Sequence, residues 1–255
     1  MQISIIQAPL FWENPEVNRN YFAAKIQNIP EETLLVVLPE MFTSGFTMNP
    51  HEVAEDMDGV TVTWMKETAT ARNMAIMGSV VIRDKDNYYN RLLFVFPSGE
   101  VEYYDKRHLF SLAGEHKVYT KGSEKKIIHY LGWRICPLIC YDLRFPVFSR
   151  INDDYDLLIY VANWPQPRIQ AWDTLLKARA IENMTYVVGV NRIGDDENDN
   201  NYPGHSQIVD YLGNYMVEPS EKEMVFSVRL DKELMLANRN KFGFLRDRDS
   251  FTLSE

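Results

Sequence analysis

Three residues at the ends of apolar runs or in loops carry unlike chemistry: Glu40, Lys106 and Cys140. A carboxylate, an ammonium and a thiol meeting at one point suit acyl transfer. The carboxylate takes the thiol proton and the thiolate attacks a carbonyl carbon. The ammonium then neutralises the oxyanion, helped by a backbone N–H beside the nucleophile. A free thiol with a pKa of ~8.5 is mostly protonated at neutral pH, so a base is needed. Cys140 closes the apolar stretch 135–139, a polar turn follows, and 145–151 reads as the start of a helix with Pro146 in its first turn. A thiol placed there lies near unpaired backbone N–H groups, whose partial positive charge favours a thiolate. Each residue also has an ordinary reading. Free cysteine often only packs, Glu40 suits a turn or helix cap, and Lys106 sits in a basic run with Arg107 and His108. Spacing alone leaves both readings open.

The elements that must position these groups can be read in order. Residues 34–38 form a continuous apolar run, as expected of a strand buried on both faces, and it stops at Pro39-Glu40-Met41-Phe42. Residues 105–122 are long, polar and poorly periodic, and contain Lys106-Arg107-His108-Leu109-Phe110 and Ala113-Gly114-Glu115-His116. Such loops are uncommon in compact domains and are often functional. In an open α/β layer the strand C-terminal ends gather on one edge, where ligands bind. Further strands are expected at 2–8, 74–82, 89–96, 101–104, 156–162, 185–190, 206–211, 215–217 and 224–230, with a hairpin of 126–130 and 132–139. Pro137 lacks a donor, which predicts irregular pairing around it.

Helical spacing covers 15–28, with Val17, Tyr21, Ala24 and Ile26 apolar, and also 60–72 and 230–240. The clearest helix is 168–184, with Ile169, Trp172, Leu175, Leu176 and Ala180 on one side. The acidic, Asn-rich stretch 194–204 reads as a loop. There is no linker, repeat or low-complexity block. The alternation predicts one α/β domain over 1–255, a mixed sheet or two stacked sheets with helices outside, and a charged tail from about 241.

Composition sets outer bounds. A chain of 255 residues with 45% hydrophobic and 25% charged residues is ordinary for a globular protein. The net charge of -9 argues against nucleic acid or an anionic membrane as the main partner. The N-terminus reads as a strand, not a signal peptide, and no apolar run approaches the ~20 residues of a membrane helix. On one strand, Cys136 and Cys140 would lie ~13 Å apart, beyond the ~7 Å that a disulfide allows. With no His cluster nearby they make a poor zinc site. A cytoplasmic setting is expected.

Pro39-Glu40-Met41-Phe42, Tyr104-Asp105-Lys106-Arg107-His108-Leu109-Phe110 and Ile139-Cys140-Tyr141-Asp142-Leu143-Arg144-Phe145-Pro146 resemble, in order, the three signatures of the nitrilase superfamily of carbon–nitrogen hydrolases. Asn163-Trp164-Pro165, 178–183 and Gly204-His205-Ser206 support the resemblance, and Gly114-Glu115-His116 resembles the omega-amidase branch. The resemblance implies an αββα sandwich of two mixed β-sheets flanked by helices, commonly dimerised through the helices beside the cysteine. It implies Glu40 as general base, Lys106 as oxyanion partner, Cys140 as nucleophile and Glu115 as the second glutamate that positions substrate or water. Tyr141 would add its backbone N–H to the oxyanion hole. No metal or organic cofactor is implied.

The expected reaction releases ammonia from the omega-amide of a short 2-oxo dicarboxylate monoamide, such as 2-oxoglutaramate or 2-oxosuccinamate. The alternatives are another hydrolase of the superfamily (aliphatic amidase, N-carbamoyl amine hydrolase or nitrilase) or a catalytically silent binding protein of the same fold. For the substrate carboxylate the sequence offers Arg107, His108 and Arg144, with Arg168 a further option. An arginine grips a carboxylate with two parallel hydrogen bonds. The competing reading pairs Arg107 and Arg144 with Asp105, Asp142 or helix ends. Trp164 and Phe42 are candidate walls for the carbon chain. Phe148, Trp172 and Leu176 are expected to form an apolar dimer face, their competing role being to cover the sheet.

Overall fold

The computed structural model describes residues 1–152 and 155–253. The chain opens with β1 (Gln2–Gln7), α1 (Pro15–Gln27), β2 (Leu35–Val37), α2 (Pro50–Val53) and α3 (Val60–Arg72). It continues through β3 (Ala75–Asp84), β4 (Asn87–Val95), β5 (Val101–Asp105), β6 (Ile128–Tyr130), β7 (Trp133–Ile139) and α4 (Pro146–Ser149). The last part holds β8 (Leu157–Ala162), α5 (Ile169–Asn183), β9 (Tyr186–Asn191), β10 (Ile193–Asp195), β11 (Asn201–Pro203), β12 (Gln207–Val209), β13 (Tyr215–Val217), β14 (Met224–Arg229) and α6 (Lys232–Phe242).

Two six-stranded mixed sheets result, ordered β14-β1-β2-β3-β4-β5 and β13-β12-β9-β8-β7-β6. Alternation along each strand explains how the first sheet sits between two layers. Ile3, Ile5, Leu35, Val37, Ala75 and Met77 join a core shared with the second sheet. The intervening Val36 and Ile76 meet Phe22 and Ile26 of α1 and Val62, Met65 and Ala69 of α3. On the second sheet, α5 approaches β9 closely at Gly189, where a Cβ would lie 2.4 Å from Leu176 and 2.8 Å from Trp172. The order of layers is therefore helix, sheet, sheet, helix.

Several expectations need correction. The buried face of α1 is Asn18, Phe22 and Ile26, and Val17 is exposed. A polar residue takes the inward position because its amide is fully used: Asn18 accepts from Phe11 N at 2.8 Å and donates to Phe11 O at 2.6 Å and Thr43 O at 2.8 Å. Pairing through Pro137 is regular, since β7 runs parallel to β8 from Ile135 to Ile139. The β6 ladder ends opposite Ile135, so the missing N–H falls beyond it. Residues 194–204 are not a simple loop, because β10 and β11 pair antiparallel there. Phe148, Trp172 and Leu176 are buried within the protomer and cover the sheet, so they offer no dimer face. Of the expected tail, residues 254 and 255 lie outside the described residues. No helix of the described residues is long and apolar enough to cross a membrane.

Candidate active site

Cys140 follows the last residue of β7 and begins a short 3-10 turn, Cys140–Arg144. Its φ is 42°, in the left-handed region that side-chain-bearing residues rarely adopt. The chain thus reverses sharply at the thiol and lifts it off the sheet. The turn is held by Asp142, whose Oδ2 accepts from Ile139 N at 2.9 Å and from Tyr104 OH at 2.8 Å. Its Oδ1 accepts from His108 N at 3.1 Å and lies 2.7 Å from His108 Nδ1. Asp142 therefore ties the nucleophile's turn to the segment that carries Lys106. The helix start expected over 145–151, with Pro146 in its first turn, is present as the single turn α4, which ends at Ser149.

Glu40 lies just past β2, beside Met41 with φ 43°. Lys106 leaves β5, and Glu115 begins a 3-10 turn, Glu115–Lys117, after Gly114 with φ 80°. The three side chains are fully buried and form one ion cluster. Lys106 Nζ donates to Glu40 Oε1 at 2.9 Å and to both Glu115 oxygens at 3.0 Å. Asn90 Nδ2 donates to Glu40 Oε1 at 2.7 Å and to Glu115 Oε1 at 3.3 Å. Phe110 N donates to Glu115 Oε2 at 2.5 Å. The other Glu40 oxygen accepts from Asn163 N at 2.7 Å, and Asn163 Nδ2 donates to Glu40 O at 2.7 Å. Cys140 Sγ reaches Asn163 O at 3.9 Å.

Burial alone would lower the Lys106 ammonium, but the Glu115 and Glu40 carboxylates outweigh it and hold Lys106 well above its usual value. The Glu115 carboxyl is raised, chiefly by burial, against the pull of Lys106. The Cys140 thiol is pushed well up by burial and then by the Glu40 charge, with Lys106 opposing. The resting thiol is therefore protonated, with the Glu40 carboxylate close enough for its charge to act on the thiol. Such a cluster can move a proton from sulfur on demand and hold negative charge beside a permanent cation.

Cys140 opens into a pocket whose walls include Tyr141, Arg144, Trp164, Phe46, Phe110 and Arg168. Arg144 lies 5.1 Å from the Trp164 ring centroid. Three of the expected substrate contacts are not among the lining residues. Arg107 donates to Ser123 O at 2.9 Å and covers the Phe148 ring. His108 stacks on Phe145 at 3.9 Å and is engaged by Asp142. Phe42 is fully buried in the core against Phe22 and Trp64. The tight turn at Glu40 sends Phe42 back into the protein, and Phe46 takes the wall position instead. Asn90, Asn163, Phe46 and Phe110 escape a reading by chemistry alone because amides and phenylalanines are common everywhere. Phe110 and Asn163 stand inside the quoted motifs, which is the one signal that marks them.

The carbon-nitrogen hydrolase family model matches residues 2–239. Omega-amidase YafV of Yersinia enterocolitica is 44% identical over 99% of this chain and 98% of its own length. The 2-oxoglutaramate amidase of Bacillus subtilis is 33% identical, covering 90% of each chain. Among solved structures, the CN-hydrolase superfamily protein XC1258 of Xanthomonas campestris, which carries an arsenic adduct in its active site, superposes with a TM-score of 0.97 at 43% identity, covering 100% of this chain and 99% of its own.

Proposed function

The chain belongs to the carbon–nitrogen hydrolase family, and from that premise we propose that it is an omega-amidase acting on short 2-oxo dicarboxylate monoamides such as 2-oxoglutaramate and 2-oxosuccinamate. The observation that carries this reading is the Cys140 thiol beside a buried Glu40–Lys106–Glu115 cluster, in a pocket that also presents the Arg144 guanidinium. The names of the relatives point the same way.

In the proposed reaction Glu40 takes the Cys140 proton as the sulfur adds to the amide carbonyl. Deprotonation is coupled to attack because the resting thiol is held neutral. Negative charge develops on the carbonyl oxygen, and Lys106 with the Tyr141 N–H stabilises it. Glu40 returns the proton to the leaving nitrogen, and ammonia departs from a Cys140 thioester. Water then attacks, with Glu40 as base and Glu115 as its positioning partner, and the acid is released. Arg144 binds the far carboxylate, its guanidinium placed over the Trp164 ring. Trp164, Phe46 and Phe110 wall the short carbon chain.

The test is an ammonia-release screen. Monoamides of 2-oxo dicarboxylic acids should be hydrolysed far better than uncharged amides of the same length, and nitriles should be poor. Comparable kcat/KM on charged and uncharged amides would move the reading to a general aliphatic amidase. We further propose a homodimer in the cytoplasm. Support for the dimer comes from Val147 and Ile181, exposed by 52% each on the segments flanking the cysteine. Recovery of the protein in a membrane fraction would count against the cytoplasmic setting.

A further inference from the structure

The substrate pocket holds a second guanidinium. Arg168 lies 5.0 Å from the Phe110 ring centroid, as Arg144 lies against Trp164. The supports are linked, since Trp164 Nε1 donates to Arg168 O at 2.7 Å. Phe110 in turn meets Tyr141, the neighbour of the nucleophile, ring to ring at 5.0 Å. Among the described residues no carboxylate pairs with either guanidinium, in a protein of net charge -9. None of the pocket's lining residues is Asp or Glu. Asp196, bonded to the lining Tyr202 OH at 2.8 Å, is already occupied by Asn200 Nδ2 at 3.0 Å and by backbone N–H groups of Asn198 and Asn200. Glu40 and Glu115 are fully buried around Lys106.

We infer that Arg168 is a specificity-determining residue that selects a 2-oxo acid amide over the matching 2-amino acid amide. The inference rests on the monoamide reading above. The two substrates share length, scissile amide and terminal carboxylate, and differ only at C2. A keto oxygen accepts hydrogen bonds, whereas an ammonium only donates them. Guanidinium groups only donate, so Arg168 can bond a keto oxygen while Arg144 holds the carboxylate. A 2-ammonium meets a like charge and finds no carboxylate among the lining residues to offset it. Contact with the Phe110 ring keeps the Arg168 guanidinium at the pocket wall, where its N–H donors can meet a planar 2-oxo acid. Selectivity here comes from repulsion of the wrong substrate as much as attraction of the right one.

The experiment compares kcat/KM for 2-oxoglutaramate, glutaramate and glutamine in the wild type, Arg168→Gln, Arg168→Lys and Arg144→Gln. The wild type should rank 2-oxo above unsubstituted above 2-amino. Arg168→Gln should compress the 2-oxo to 2-amino ratio by about tenfold or more, and Arg168→Lys should keep most of it. Arg144→Gln should weaken all three substrates while leaving their ratio nearly intact. An unchanged ratio in Arg168→Gln, or an equal loss on all three substrates, overturns the inference. Wild-type inhibition needs no folded variant: 2-oxoglutarate should inhibit and glutamate should not, and equal inhibition by both also overturns it. Failure of the underlying reading looks different, since the wild type would then hydrolyse an uncharged amide as well as the monoamides.

Discussion

At the scale of single residues, Cys136 and Cys140 differ by environment, and neither is in a disulfide. Cys136 is fully buried in the sheet core, whereas Cys140 faces the pocket. Cys140→Ala should remove turnover and keep the melting temperature near that of the wild type. Cys136→Ala should keep turnover and lose on the order of 1 kcal/mol of stability to a small void. A dead Cys136→Ala with an active Cys140→Ala would reverse the assignment. The thiol's pH behaviour gives a second test. Burial raises it first and the Glu40 charge second, while Lys106 lowers it. Glu40→Gln should therefore move the pH profile of Cys140 alkylation downward, and Lys106→Met should move it upward. Shifts of the same sign in both variants would contradict the electrostatic account. The stability sign follows from linkage. A thiol whose folded value is raised holds its proton more tightly in the folded chain, so its contribution is full below the ordinary thiol range and is lost as pH rises through the folded value. Between the glutamates, Glu40→Gln should block acylation, and Glu115→Gln should slow deacylation more and accumulate a covalent adduct visible by intact mass. Equal, adduct-free loss in both would argue against separate roles.

At the scale of elements, the site depends on turns, more than on helices, to aim its groups. The Cys140 turn is locked by one buried carboxylate that gathers donors from β7, β5 and the Lys106 segment. Replacing Asp142 by Asn turns one acceptor into a donor facing donors, and each buried donor left unmet costs about 1–3 kcal/mol. Asp142→Asn should lower the melting temperature and also slow Cys140 alkylation, because the thiol loses its fixed direction. Unchanged alkylation in a destabilised variant would show that Asp142 supports the fold alone. The long loop between β5 and β6 owes its order to Glu115, which bonds Lys106 and the Phe110 backbone together.

At the scale of the whole molecule, the two sheets bring three distant segments to one edge, as the strand-end rule for α/β layers expects. The helices that flank the second sheet bury their largest apolar side chains inward, so the proposed dimer face on those segments rests on the exposed Val147 and Ile181. Sedimentation at micromolar concentration should show a dimer, and Ile181→Asp should weaken it. A monomer across that range would reject the dimer. Sedimentation of Ile181→Asp indistinguishable from the wild-type dimer would move the interface elsewhere.

The sequence by itself determined the fold class, most strands and long helices, and the identity of Glu40, Lys106, Cys140 and Glu115 as the residues to watch. It could do so because buried strands and amphipathic helices write their period into the chain, and because three separated motifs in order are specific. Tertiary structure alone decided which neighbours of those motifs line the pocket. Arg107 and Arg144 are alike as letters, yet one is spent on Ser123 O and the other lines the pocket. Phe42 and Phe46 are equally apolar, and the tight turn after Glu40 sends the first inward and leaves the second at the wall. Side-chain direction at a turn depends on backbone dihedrals and on contacts between segments far apart in the chain. Local composition carries neither, so the motifs named the chemistry and the folded turns chose its partners.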